Sequence, residues 1–436
     1  MCSNSDSIGC IIPGVNVAAA QFCFALQYPH KCSLPANVHD DTFSEMTECV
    51  MEEMNSYTIR RGISQQQLTH EATTACLDPK KSWWPRLAAE SGDAPVGTQP
   101  RSRLLGRRHS ECVAKGPSIW LVIMIKDQSR LLPYWLTWHF LLGVSHILVY
   151  DHGSQRADAV EAVCRPWIER GVVTVIQWRR QGKAPQEASY NNAIRRTVAA
   201  GAEFVGALDA DELFVPFHDG CLPRLMSNCT VAAGCGGMQI NRRHIRGSKV
   251  LSGNPAHPQS ALQITTHQMG SVEGTVKSIV RARAAIEYWT PHAVLQRKPF
   301  CIMDELMDTC RSTPGVEGRQ HKLILRWPPR TARAALYHLQ CVTLLDWVMK
   351  QSLQGWPSNH ESGLYQTLPA IVQGYQKKCA PLGGAANASL RGMNGFHQQA
   401  QRYDSYDPDL VEFLRDMDAR TLITLAAADR GTEPTS

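Results

Sequence analysis

Two aspartates separated by one residue, Asp209 and Asp211, follow the apolar stretch of the segment FVGALDADELFVP, and Glu212 comes directly after them. Residues two apart on an extended backbone project from the same side, so both carboxylates face one direction. Like charges held that close repel, and a hard divalent cation between them relieves the repulsion. Mg²⁺ or Mn²⁺ accepts oxygen ligands of this kind and fills its other positions with diphosphate oxygens and water. Such a cation neutralises charge building on a departing nucleoside diphosphate. A solvated acidic turn would use the same residue types, so context has to decide between the two.

Other polar residues offer parts of the same chemistry. Asp151 in YDHGS could accept hydrogen bonds from a uracil or a ribose, with Gly153 letting backbone approach a ligand; the plainer account is an Asx turn. Lys126 suits a phosphate or the end of a strand. Gln186, Tyr190 and Asn191 open a helix whose N-terminus would face a diphosphate, against a plain capping role. His292 and His338 each stand near the end of an apolar stretch, where an imidazole serves as a metal ligand or as a hydrogen-bonded core group. Asn241, Arg242 and Arg243 read as a charged strand end more readily than as a clamp on sugar or phosphate.

These residues need elements to hold them. IWLVIMI at residues 119–125 is an apolar run bounded by Gly116-Pro117 and Lys126-Asp127, the pattern of a strand buried on both faces. Leu132, Trp135, Leu136, His139 and Leu142 then recur at helical spacing up to Gly143, with Tyr134, Trp135 and Trp138 as core of an amphipathic helix. Strands are expected at 147–150, 172–178 and 204–208, with helices at 157–170 and 187–200 between them. That alternation specifies an α/β fold with a mostly parallel sheet flanked by helices, and such sheets bind ligands beyond the carboxyl ends of their strands. The polar clusters fall after the first, second and fourth strands, at those ends. Beyond Pro216, strands at 236–245, 276–282 and 334–338 and a helix at 344–352 are expected to complete the sheet.

Bulk properties narrow the classes. A net charge of +6 is spread over 45 basic and 39 acidic residues, without a basic helix or aromatic-basic interleaving, so nucleic acid is not the favoured partner. Fifteen cysteines include no pair of CxxC elements for zinc; the tightest groupings are Cys221, Cys229 and Cys235, then Cys301 and Cys310. Disulfides of an oxidising lumen or buried thiols both account for such a count. The sequons at Asn228 and Asn387 permit a secretory location. No apolar run reaches the roughly 20 residues of a membrane span, and the N-terminus lacks the basic-then-apolar order of a signal peptide. Residues 1–115 show weak periodicity and read as a poorly ordered extension, 116–355 as the main domain, and 356–436 as a helical or irregular extension.

Taken in order, IWLVIMIKDQSRLLPYWLTWHFLLGVSHILVYDHGS, GVVTVIQW, QEASYNNAIRR, FVGALDADELFVP, GGMQINRRHIRGS, VKSIVRARA and YHLQCVTLLDWVMK resemble glycosyltransferase family 92, a DUF23-like group of the GT-A superfamily related to family 2. The resemblance spans about residues 117–355 and implies a GT-A, Rossmann-like fold. It also implies a UDP-sugar donor, often UDP-galactose, Mn²⁺ or Mg²⁺ at a DxD element, and inverting hexosyl transfer to a glycan or glycoprotein hydroxyl. A Golgi or secretory lumen is the implied location. Asp209 and Asp211 match the DxD carboxylates, Asp151 the nucleotide-side acid, and His292 or His338 the late histidine. Lys126-Asp127-Gln128 stands where the family has Lys-Asn-Glu, His152 where it has Asn, and Leu339 where it has Tyr. An inverting transferase needs a base for the acceptor hydroxyl, and Asp304, Glu305 and Asp346 are the candidates. The competing reading is a degenerate carbohydrate- or nucleotide-binding pseudoenzyme that keeps the cleft and lacks the base.

Overall fold

A computed structural model describes residues 116–154, 157–179, 184–216, 219–231, 234–245, 269–297, 299–303, 310–312, 334–339 and 408–429. All of them belong to one of two compact units, the one formed by residues 95–245, 259–339 and 384–436. The expected N-terminal extension, the helix at 344–352 and the base candidates Asp304, Glu305 and Asp346 lie outside the described residues.

The first half follows the expected alternation closely. Strand β1 (Ile119–Ile125) leads through a 3-10 turn (Ser129–Leu131) into helix α1 (Leu132–Leu141), then β2 (His146–Asp151), α2 (Ala157–Glu169), β3 (Val173–Gln177), α3 (Pro185–Ala199) and β4 (Phe204–Ala207). Strands β3, β2, β1 and β4 lie side by side in that order, all parallel. The strands wind outward from β1 to β3 and return on the other side of β1, so the switch point lies between β1 and β4. Open α/β sheets bind ligands at such a point, outside the carboxyl ends.

The second half is mixed in direction. Next come β5 (Glu212–Val215), α4 (Leu222–Val231), β6 (Cys235–Ile245) and β7 (Met269–Arg281), followed by the hairpin of β8 (Ala285–Thr290) and β9 (Ala293–Gln296). Then follow β10 (Cys301–Met303), β11 (Cys310–Ser312), β12 (Ala335–His338) and a C-terminal helix α5 (Pro408–Asp429). β7 runs antiparallel between β4 and β6, and the outer edge of β6 is shared by β10 and β12, both parallel to it. β12 also pairs antiparallel with β5, which brings the chain leaving the acidic loop back against the sheet.

Helix α1 is more deeply enclosed than its spacing suggests. Tyr134, Trp135, Leu136, Trp138 and His139 are all buried, because the sheet covers one side and α5 packs on the helix as well. On the α5 side, the Tyr134 hydroxyl donates to Asp418, which is itself buried. On the β5 side, the Trp135 and Trp138 indoles donate to the carbonyls of Glu212 and Phe214, each at 2.9 Å. α1 thereby fixes the strand that leaves the acidic turn.

Four cysteines of the two groupings seen in the sequence are disulfide-bonded: Cys221, Cys229, Cys235 and Cys301. Cys229 at the end of α4 bonds to Cys235 at the start of β6, while Cys164 on α2 is a buried free thiol.

Candidate active site

The acidic turn forms where β4 ends at the sheet's carboxyl edge. The Asp209 carbonyl accepts from the Glu212 N–H at 3.1 Å, and the Glu212 carboxylate in turn accepts from the Asp209 N–H at 2.8 Å. This reciprocal pair closes the DxDE segment into a tight turn. Glu212 is fully buried and so fixed by its surroundings.

Asp209 faces a set of donors. The Gln186 amide of α3 donates to its Oδ1 at 3.0 Å and to the Tyr190 hydroxyl at 2.6 Å, and Tyr190 donates to the same Oδ1 at 3.4 Å. Its Oδ2 lies 2.9 Å from Lys277 Nζ of β7 and 3.7 Å from Arg242 Nη1 of β6. The same cations reach Glu212, at 3.5 Å and 3.1 Å. Two carboxylates and two cations thus form a compact, nearly neutral cluster. Burial opposes the charge on Asp209 and Asp211 repels it, yet Lys277 and Arg242 outweigh both and hold its carboxyl at about 2. Glu212 is pushed the other way, chiefly by its complete burial. The Tyr190 hydroxyl is held well above its usual range by burial and by the charge of Asp209.

Asp211 points elsewhere. Its Oδ2 lies 3.4 Å from Nε2 of His338, both side chains are buried to within 6% of full, and its carbonyl accepts from the Leu339 N–H at 2.7 Å. The β5–β12 ladder, which sets His338 opposite Glu212, creates this proximity. A carboxylate and an imidazole at one edge suit a borderline or hard divalent cation, whose remaining positions a diphosphate and water can fill. Among the described residues no group of three or more His, Cys, Asp or Glu side chains is arranged as a metal cluster.

The remaining expected residues occupy distinct places. Asp151 is fully buried at the end of β2, its Oδ1 accepting from the Ser154 N–H at 2.9 Å and its Oδ2 from the Gln177 amide at 3.3 Å. Asp151 thereby closes the loop after β2 on itself, with Gly153 at φ +71, a conformation few other residues adopt. The Ser154 hydroxyl accepts from the N–H of Asp127, itself at φ 54, which ties the loops after β1 and β2 together. Lys126 is half-buried directly after β1. Asn191 is spent on the hairpin: its amide donates to the Tyr288 carbonyl at 3.2 Å and its oxygen accepts from the Tyr288 N–H at 2.6 Å. His292 sits in the β8–β9 turn, where its carbonyl accepts from the Ser278 hydroxyl at 3.3 Å.

The fold therefore assembles Asp209, Asp211, Glu212, Gln186, Tyr190 and His338, and adds two residues whose part the sequence did not disclose. Lys277 is a fully buried lysine within the apolar strand VKSIV, and an unpaired lysine is almost never buried, which was the available signal. Arg242 stands where the β6–β7 ladder is irregular, Asn241 facing Val276 while Arg243 faces Val272. Such irregularities commonly re-aim a side chain beside a functional site.

Known proteins provide an independent comparison. The model of glycosyltransferase family 92 matches residues 126–300. No curated protein matches the chain. Among solved structures, it is similar to a mannosyltransferase of Pyrobaculum calidifontis in complex with GDP-Man and Mn²⁺, at 12% identity over 79% of this chain and 93% of that one, with a TM-score of 0.24. It is also similar to glucosyl-3-phosphoglycerate synthase of Mycobacterium tuberculosis in complex with phosphoglyceric acid, at 16% identity, 35% and 50% coverage and a TM-score of 0.21. A further mycobacterial protein gives 18% identity, 35% and 47% coverage and a TM-score of 0.22. The match thus spans about half the length of each mycobacterial chain, and superpositions this loose carry no weight for the chemistry. The stretch in which the chain is similar to glycosyltransferase family 92, residues 126–300, holds β2 to β4, the acidic turn and Lys277.

Proposed function

We propose that the chain transfers a hexose, galactose foremost, from a UDP-sugar to a glycan hydroxyl with inversion, using Mn²⁺ or Mg²⁺, in the Golgi or secretory lumen. The observation that carries this reading is the Asp211–His338 pair, 3.4 Å apart at the carboxyl edge of the sheet beside Asp209. Asp211 and His338 would hold the cation, which when bound offsets negative charge on the departing diphosphate. The loops after β1 and β2, locked to each other through Asp127 and Ser154, form the nucleotide side; Asp151 shapes that loop from within, with Lys126 nearby for phosphate. Gln186 and Tyr190 hold the Asp209 carboxylate in place beside Lys277. The disulfide-bonded cysteines favour an oxidising compartment.

The test is UDP release from a panel of UDP-sugars with and without Mn²⁺. Asp211→Asn is expected to lower turnover by at least about a hundredfold, as loss of an electrostatic stabiliser at a reacting centre does. Turnover at the parental rate in that variant would refute the assignment. A second reading, a pseudoenzyme that binds nucleotide without transfer, draws support from the neutralisation of Asp209 and Glu212 by internal cations. UDP binding without turnover across the whole panel would favour it.

A further inference from the structure

We propose that Lys277, backed by Arg242, withholds Asp209 from the cation, so that the DxD pair is divided into one metal-side carboxylate and one that serves as an internal counter-ion. This rests on the reading that Asp211 and His338 hold a divalent cation. The division is visible in the contacts: Asp209 Oδ2 lies 2.9 Å from an ammonium and 3.7 Å from a guanidinium, whereas Asp211 Oδ2 lies 3.4 Å from an imidazole. A carboxylate oxygen that close to two cations is a poor ligand for a third positive centre.

The placement of Lys277 follows from register. Gly206 of β4 faces Ile279 of the antiparallel β7, so stepping two residues along both strands brings Lys277 beside the residue that precedes Asp209. The lysine is fully buried, and the carboxylates of Asp209 and Glu212 lie within 3.5 Å of its ammonium. Arg242 holds the other oxygen of Glu212 at 3.1 Å, which leaves Asp209 to be neutralised chiefly by the lysine. Asp209 and Asp211 lie two residues apart in one turn, so a liberated Asp209 would stand at the edge of the cation's reach. Lys277 is a positioning residue in this scheme, acting through Asp209.

Removing the ammonium leaves two carboxylates with excess negative charge that a divalent cation can satisfy. Replacing a buried lysine should therefore tighten metal binding while turnover falls. Mn²⁺ is titrated into the full chain at pH 7 and fixed ionic strength, and free Mn²⁺ is read by electron paramagnetic resonance. Lys277→Met should bind Mn²⁺ about tenfold or more tightly than the parent, given unit charges a few ångströms apart in a medium of low polarity. The gain should vanish in Lys277→Met/Asp209→Asn, since it runs through that carboxylate. Parental or weaker binding in a Lys277→Met protein with native circular dichroism would overturn the inference, as would an equal gain in the double variant. If Lys277→Met does not fold, Arg242→Met and Arg242→Met/Asp209→Asn decide the question, because Arg242 lies nearer the surface and the same gain and loss are expected on a smaller scale. A parent that binds no Mn²⁺, alone or with UDP, overturns the cation reading and this inference with it.

Discussion

His139 shows how one side chain ties the site to pH. It is fully buried, its Nδ1–H donating to the Trp135 carbonyl at 2.8 Å while the Phe214 N–H points at its Nε2 from 3.5 Å. Burial is the dominant influence and lowers its pKa from 6.5 to about 3, the bond to Trp135 opposing this only in part. The native state therefore excludes a proton that the unfolded chain binds below pH 6.5. Stability from this group is fully present above pH 6.5 and is lost as pH falls toward 3, by about 1.4 kcal/mol for each pH unit. Urea denaturation between pH 6.5 and 4.5 should show that slope, and His139→Gln should flatten it by one proton; an unchanged slope in the variant would rule the account out. Asp209 obeys the same sign in a lower window, its contribution being present above about 3.8 and lost as pH falls to about 2. Of the site residues, the aspartates were legible because a DxD after an apolar strand is a local pattern. Lys277 was not, because its partners lie 65 and 68 residues away in sequence and depend on which strand pairs with β7.

Elements transmit these constraints. β7 approaches β4 so closely at Gly206 that a Cβ there would lie 2.8 Å from Ile279 Cγ1 and 3.1 Å from Leu121 Cδ2. Both side chains are fully buried and have little room to yield, so Gly206→Ala is expected to destabilise the fold by about 1–3 kcal/mol, the usual cost of overpacking. The thermal midpoint of the variant is the measurement. Because the same strand contact sets Lys277 beside Asp209, the variant should also lower turnover by more than its loss of folded protein at the assay temperature accounts for. The sequence located β1 to β4, α1 to α3, β6, β7 and β12 to within a few residues, except that β7 begins seven residues earlier than its apolar run. Alternation of apolar runs with helical spacing is a strong local signal. β5, β8 to β11 and α4 went unread, the strands because they are short and α4 because it lies outside the regular β-α alternation, while α5 falls in the stretch read only as a helical or irregular extension.

At the scale of the whole molecule, covalent and terminal contacts hold the second half against the first. The Cys229–Cys235 bond closes a short loop between α4 and β6, the strand that carries Arg242. Chain-entropy reasoning gives about 2 kcal/mol for a loop of that size. Cys229→Ser/Cys235→Ser should therefore unfold at a lower urea concentration with an unchanged denaturant slope; an unchanged midpoint would show the bond to be idle. α5 closes the opposite side, burying Phe413, Leu414 and Met417 and placing Asp418 against Tyr134. The residues 126–300 of the family match exclude both α5 and β12, so His338 reaches the site from outside that stretch.

The sequence by itself determined the parallel α/β half, the position of the acidic turn after its fourth strand, and the resemblance of these segments to family 92, because each depends on local periodicity or on motifs read in chain order. Only the tertiary structure decided that His338 stands beside Asp211, that Asp151 and Asn191 spend their polar atoms inside the fold, and that Lys277 and Arg242 neutralise Asp209. The reason is physical. A carboxylate's role depends on the charges within a few ångströms of it, and those charges come from strands whose partners and direction no short-range pattern specifies.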